Sequence, residues 1–178
     1  MKRIALPLFV AAVGLTASAA HASDGTLTIN GTIVANSCKI SGNGQGPNFT
    51  VTLPSVSAST LSAAGSVAGA TGFSIALTNC TPATGTVHTF WEYGSNTLND
   101  GNLKNNGTAS SVEVQLLDYN GSMKTIDVSK ADGAQNSQNV SISGGSANLQ
   151  YAAQYFTSAG GTTAGSVTTT VTYSMSYQ

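Results

Sequence analysis

Residues 165–178 read Gly165-Ser166-Val167-Thr168-Thr169-Thr170-Val171-Thr172-Tyr173-Ser174-Met175-Ser176-Tyr177-Gln178. Val167, Val171, Tyr173, Met175 and Tyr177 share one phase with Thr169, whereas Ser166, Thr168, Thr170, Thr172, Ser174, Ser176 and Gln178 fill the other without an apolar residue. A period of two is the mark of a strand, because successive side chains of an extended backbone point to opposite faces. A strand of this kind buries one face and solvates the other.

The same period recurs upstream. Leu149, Tyr151, Ala153 and Tyr155 alternate before a Gly160-Gly161 turn, and a short strand is expected at Val140 to Ile142. Asn120-Gly121 stands between Val112 to Leu117 and Met123 to Val128, the residue pair that favours a two-residue hairpin. Thr86 to Tyr93 reads as a strand with Val87, Phe90 or Trp91, and Tyr93 as core candidates, followed by an Asn-rich polar connection from Gly94 to Thr108. Phe73, Ile75 and Leu77 alternate into Cys80; Ser55 to Ala70 is rich in small residues, with room for one helical turn around Ala58 to Ala64. Phe49 to Leu53 alternates until Pro54 stops it, after a Gly42-x-Gly44-x-Gly46 turn. Gly25, Leu27, Ile29, Gly31 and Ile33 alternate with Thr26, Thr28, Asn30 and Thr32. Short strands at this spacing with no helical pattern between them predict an all-β sandwich.

Composition agrees. Of 178 residues, 23 are Ser, 23 Thr and 20 Gly, and only 13 are charged, too few for long solvated helices. Met1-Lys2-Arg3, an apolar run from Ile4 to Leu15, and Ala20-His21-Ala22 have the layout of a secretory signal peptide, so residues 1–22 are expected to be removed. The remainder keeps four lysines, seven carboxylates, one histidine and no arginine, a balance of −3 that does not suggest nucleic acid as a partner. Cys38 and Cys80 in an exported chain read first as one disulfide. A metal or redox pair is the rival, but metal sites want three or four ligands and His88 is the only imidazole left.

That poverty of His and Arg argues against an enzyme. Asp24, Glu92, Asp100, Glu113, Asp118, Asp127 and Asp132 are scattered, and no Ser sits in a G-x-S-x-G setting. Asp118 and Asp127 flank the expected hairpin and would act as a carboxylate pair only if both faced a cleft. The glycines at 42, 44 and 46 lack the following helix and Lys of a phosphate loop. Trp91 with Tyr93 is either a sugar-stacking platform of a secreted carbohydrate-binding sandwich or part of the core. No cofactor and no metal are expected.

The leader, the Cys38 and Cys80 pair, Phe73-Ser74-Ile75-Ala76-Leu77-Thr78-Asn79-Cys80 and the alternating C-terminal segment together resemble the chaperone–usher pilins, specifically type 1 fimbrial subunits. That family carries a glycine fourteenth from the C-terminus and an aromatic second from it; here these are Gly165 and Tyr177. The resemblance implies an immunoglobulin-like sandwich lacking its last strand and completed in trans. It divides the chain into a signal peptide (1–22), a donor-strand extension (23–37) and a pilin domain (38–178). Gly25, Leu27, Ile29, Gly31 and Ile33 would enter a neighbouring subunit's groove. Gly165, Val167, Thr169, Val171, Tyr173, Met175, Tyr177 and Gln178 would form the strand that first meets a periplasmic chaperone and then that donor. The implied partners are identical or homologous pilins, the chaperone and an outer-membrane usher, on a route through the periplasm to a surface fimbrium used in adhesion. A shaft subunit and a minor or adaptor subunit of the same fibre both fit these residues.

Overall fold

Alternating apolar residues become two facing antiparallel sheets in the computed structural model, which describes residues 27–30, 37–121 and 123–178. The strands are β1 (Ser37–Gly42), β2 (Val67–Thr81), β3 (Gly85–Trp91), β4 (Leu103–Lys104), β5 (Glu113–Asp118), β6 (Lys124–Thr125), β7 (Val140–Ile142), β8 (Ala147–Phe156) and β9 (Tyr173–Tyr177). One sheet runs β1-β2-β8-β5-β4 with β6 beside β5; the other runs β7-β3-β9. A 3-10 turn at Ala58–Leu61 lies inside the stretch where the sequence predicts one helical turn, capped by the Ser57 hydroxyl.

The core follows from register. Phe73, Ile75 and Leu77 of β2 stand opposite Tyr151, Leu149 and Ala147 of β8, and Ile75, Leu77 and Leu149 have no exposed surface. Trp91 of β3 closes on them from the second sheet, with ring centroids 5.3 Å from Tyr151 and 6.2 Å from Phe73. Edge-on aromatic contacts of this kind add to the stabilisation from burial alone. Cys38 of β1 and Cys80 of β2 form the expected disulfide. Closing a ring of that length stabilises by about 4 kcal/mol in the chain-entropy account.

Several sequence expectations are corrected. Tyr93 is not core but 64% exposed, and Phe90 is half-buried, because β3 ends at Trp91. Residues 132–139 cover the outer face of β3, so His88 is buried as well as Val87, Thr89 and Trp91. His88 Nε2 lies 2.7 Å from Asp132 Oδ1 and Nδ1 2.7 Å from Asn139 Oδ1, while the buried Gln135 side chain bonds both the amide and the carbonyl of Trp91. The polar connection after β3 contains β4, whose Leu103 is 2% exposed.

The hairpin after β5 exists, with Leu117 opposite Thr125 and Asp118 opposite Lys124, but its loop spans 119–123 rather than two residues. The reason is Asn120. Its side chain exchanges hydrogen bonds with the Gln150 backbone and donates to Asp118, which pulls it toward β8 and away from a tight turn. Asp118 is wholly buried, accepting from the amides of Asn120 and Gln138, so it faces no cleft with Asp127.

Phe49 to Leu53 and residues 166–172 were expected as strands and are not laddered with another strand. The proposed leader, and Gly25, Gly31 and Ile33 of the proposed donor segment, lie outside the described residues. Leu27 and Ile29 are described; both are exposed, at 84% and 83%, in a stretch without regular secondary structure.

Candidate functional site

The two unladdered segments are the walls of one groove. A cleft of about 720 Å³ runs between residues 47–53 and 167–173, floored by Phe73, Trp91, Leu103, Val114 and Leu116. Along the first wall Phe49, Val51 and Leu53 are half-buried while Thr50 and Thr52 are exposed. Along the second, Val167, Thr169, Val171 and Tyr173 are half-buried while Thr168, Thr170 and Thr172 are exposed. The period of two is therefore present on both walls. Among the described residues neither wall has a laddered neighbour on its groove side.

Backbone hydrogen bonding shows the same gap. The even residues of the second wall each bond outside the groove, Ser166 and Thr168 through both backbone groups and Thr170 and Thr172 through the carbonyl. Asn106 N donates to Thr168 O (2.8 Å), Ala109 N to Ser166 O (3.0 Å) and Glu92 N to Thr172 O (2.9 Å), and Asn105 Oδ1 accepts from Thr168 N (2.8 Å). The Asn96 amide donates to Thr170 O. In an extended chain the odd residues turn their amides and carbonyls the other way. Among the described residues, those of Val167, Thr169 and Val171 make no hydrogen bond. The first wall is similar in part: Gln45 bonds the Thr50 amide and carbonyl, and the backbones of Phe49, Val51, Thr52 and Leu53 have no partner among the described residues. The Thr169 hydroxyl is also buried without one.

At one end the walls are tied together. Tyr173 donates its hydroxyl to Pro47 O (2.6 Å), its ring lies 5.9 Å from Phe49, and burial pushes its phenol up. At the other end Gly165 sits against the 108–109 backbone, where a Cβ would overlap the Ala109 amide and the Thr108 carbonyl carbon. That close approach is a local reason for glycine at this position. Beyond Tyr173 the C-terminal residues are laddered: Met175 opposite Thr89, Tyr177 opposite Val87, and Gln178 exchanging backbone bonds with Thr86.

The groove is chemically plain. Its walls and floor are aliphatic, aromatic and hydroxyl side chains and the Asn48 amide, with two rows of peptide groups unpaired among the described residues, suited to an extended segment with one apolar face. Of the residues expected to receive a donor, the structure brings Val167, Thr169, Val171 and Tyr173 to the groove; Gly165 does not line it but packs on the 108–109 backbone, and Met175, Tyr177 and Gln178 stand in or beside β9. Sequence reasoning overlooked the first wall as a partner of the second, and it overlooked Leu103 in the floor. The signal for the first wall was present in the Phe49, Val51, Leu53 alternation. The sugar-platform reading fails, because Trp91 is 2% exposed and Tyr93 stands out in solvent. The ionisable contacts lie elsewhere. Burial works to raise the Asp132 carboxyl, but hydrogen bonds from His88 and Ser176 outweigh it and hold it below the usual aspartate range. Burial raises Glu113, with neighbouring Asp100 adding to the effect.

Comparison with known proteins agrees with this geometry. The profile of the type-1 fimbrial protein family FimA matches residues 53–178. The chain is 41% identical over 170 residues to the F17 fimbrial protein of Escherichia coli, covering 92% of each chain. It is 44% identical over 165 residues to the major fimbrial subunit SMF-1 of Stenotrophomonas maltophilia, covering 89% of this chain and 95% of that one. The crystal structure of the P pilus rod subunit PapA shares the fold, with a TM-score of 0.50 and 22% identity over 86% of this chain and all of that one. A β-sandwich with an open groove, a disulfide joining its first two strands and these relatives thus make the chain a fimbrial subunit, a member of the FimA type-1 fimbrial protein family.

Proposed function

We propose that this chain is the repeating structural subunit of a fimbrium, and that it polymerises by donating residues 25–33 of one copy to the groove of the next. The observation that carries the reading is the pair of unpaired walls. An open edge with core side chains behind it must be covered or it aggregates, and one extended segment with an apolar face covers both the peptide groups and the side chains. Residues 25–33 have that face. Leu27 and Ile29 present large apolar side chains to solvent, and Ile33 continues the phase. Burying the three stabilises by roughly 5 to 9 kcal/mol at about 1.5 to 3 kcal/mol each, before ladder hydrogen bonds are counted.

The asymmetry of one donor and one groove per copy makes a heterologous contact that does not close on itself, so the product is a fibre. Before assembly the same groove needs temporary cover. A periplasmic chaperone strand beside residues 165–177 fills that need, and an outer-membrane usher then passes subunits to the surface. Exchange of that strand for a donor needs no nucleotide, because better packing in the exchanged complex drives it. Residues 1–22 direct the export.

Charged substitution at Leu27 tests the proposal. Leu27→Asp is expected to leave the chaperone complex intact and to abolish the ladder of oligomers that wild-type fibres give on unheated denaturing gels, a ladder expected of kinetically trapped strand exchange. Ladders of undiminished length from Leu27→Asp would overturn it.

A further inference from the structure

We propose that a pocket at the disulfide end of the domain receives a second copy of this chain, the neighbour whose groove holds the donor segment. The inference rests on the donor-strand reading and adds to it a contact between the folded bodies of successive subunits. The pocket, about 290 Å³, is bounded by Cys38, Cys80, Pro82, Ile142, Tyr177 and Gln178, with exposed Thr84 on its rim. It lies apart from the groove described above: no residue lines both.

Chain length identifies the occupant. The donor's last inward residue is Ile33, and Val34, Ala35, Asn36 and Ser37 alone separate it from Cys38. Five Cα steps reach at most about 18 Å even when fully extended. A domain of this size has a radius of gyration of about 14 Å. A neighbour that holds Ile33 therefore cannot stand clear of the surface from which the chain departs, and Cys38 is both that point of departure and a wall of the pocket. The wall chemistry suits a covered contact. The disulfide, a proline, an isoleucine and a tyrosine ring line it, and no acidic, amine or imidazole side chain does. Burying such surface is favourable and imposes little directional demand.

The test uses the full-length chain. Thr84→Cys places a thiol on the rim, and its rate of maleimide labelling is compared between assembled fibres and the same variant kept unassembled by Leu27→Asp, freed of chaperone and with its groove filled by a synthetic peptide of residues 25–33. Labelling about tenfold or more slower in fibres is expected, since residues at the centre of an interface lose access to solvent. Thr84→Trp, which fills the rim with a large side chain, is expected to leave the melting of the Leu27→Asp monomer unchanged. In otherwise wild-type protein it is expected to lower the temperature at which fibre ladders collapse to monomer. Equal labelling rates with assembly still blocked by Leu27→Asp overturn the pocket contact and leave the donor-strand reading standing. Assembly that survives Leu27→Asp overturns the donor-strand reading, and the pocket contact with it.

Discussion

The β2–β8 pair and the groove walls carry the same sequence pattern and reach different ends. Along β2 and β8, alternate apolar residues meet a laddered neighbour, and Ile75, Leu77 and Leu149 lose all contact with solvent. Along residues 49–53 and 167–171, alternate apolar residues find the floor of the sandwich but no strand at their side among the described residues, and they stop at half-burial. The difference lies in who supplies the edge. In the closed half the chain supplies its own; in the open half the backbones of Phe49, Val51, Leu53, Val167, Thr169 and Val171 border the groove without a partner among the described residues. Alternation thus marks a capacity to pair, and the two groove walls leave that capacity unused among the described residues.

Truncation on either side should break or uphold that contrast most directly. Leu149→Ala, in the closed half, is expected to destabilise the monomer by about 2–5 kcal/mol, because it opens a cavity that packed neighbours cannot fill. Val171→Ala, on the groove wall, should cost under about 1 kcal/mol in the same assay, since its site is already open to solvent on one side. Denaturant unfolding of chains kept unassembled by Leu27→Asp compares the two. Equal losses would mean that the groove is closed in solution.

A second, smaller effect sharpens the contrast by creating unpaired peptide groups where none are tolerated. Gln135→Ala removes the side chain that bonds the Trp91 amide and carbonyl in the interior. Leaving buried donors and acceptors without partners costs about 1–3 kcal/mol, whereas the unpaired groups of Val167 and Val171 line an open cleft. Hydrogen exchange at the Trp91 amide should accelerate with the loss of stability.

The smallest effect concerns the seam where the C-terminal segment passes from groove wall to laddered strand. There Asp132 accepts from His88 and from Ser176 (2.8 Å), pinning β9 to the segment that covers β3. A carboxyl held below its ordinary value contributes stability that is complete above the unfolded-state pKa and is lost as pH falls through the folded value. Wild-type melting temperature is therefore expected to fall more steeply than that of Asp132→Asn as pH drops below about 4, with the two curves parallel at neutral pH.

Much of this architecture was legible beforehand. The strands around Phe73, Val112 to Leu117, Val140 to Ile142 and Leu149 to Tyr155 appear where alternation placed them, because local chain geometry and burial agree there. What escaped was contact between distant residues. The burial of His88 depends on residues 132–139 folding over β3, more than forty positions away. The widened hairpin depends on Asn120 reaching Gln150. Leu103 sits in a polar run whose composition reads as loop, and enters the groove floor only because β4 pairs with β5.

By itself the sequence determined the period of the strands, the single cysteine pair, the poverty of acid–base groups and the apolar face of residues 25–33. These are local or compositional properties, and a side chain's place on one face of an extended chain needs no knowledge of the rest. Only the tertiary structure decided which alternating segments would be enclosed and which left open. Enclosure is set by non-local pairing: residues 47–53 and 167–173, some 120 positions apart, become the two sides of one groove when the sheets pack. The pattern along Val167, Thr169 and Val171 is the same whether or not a strand lies beside it, and the hydrogen bonds left over are visible only once every other strand has found its partner.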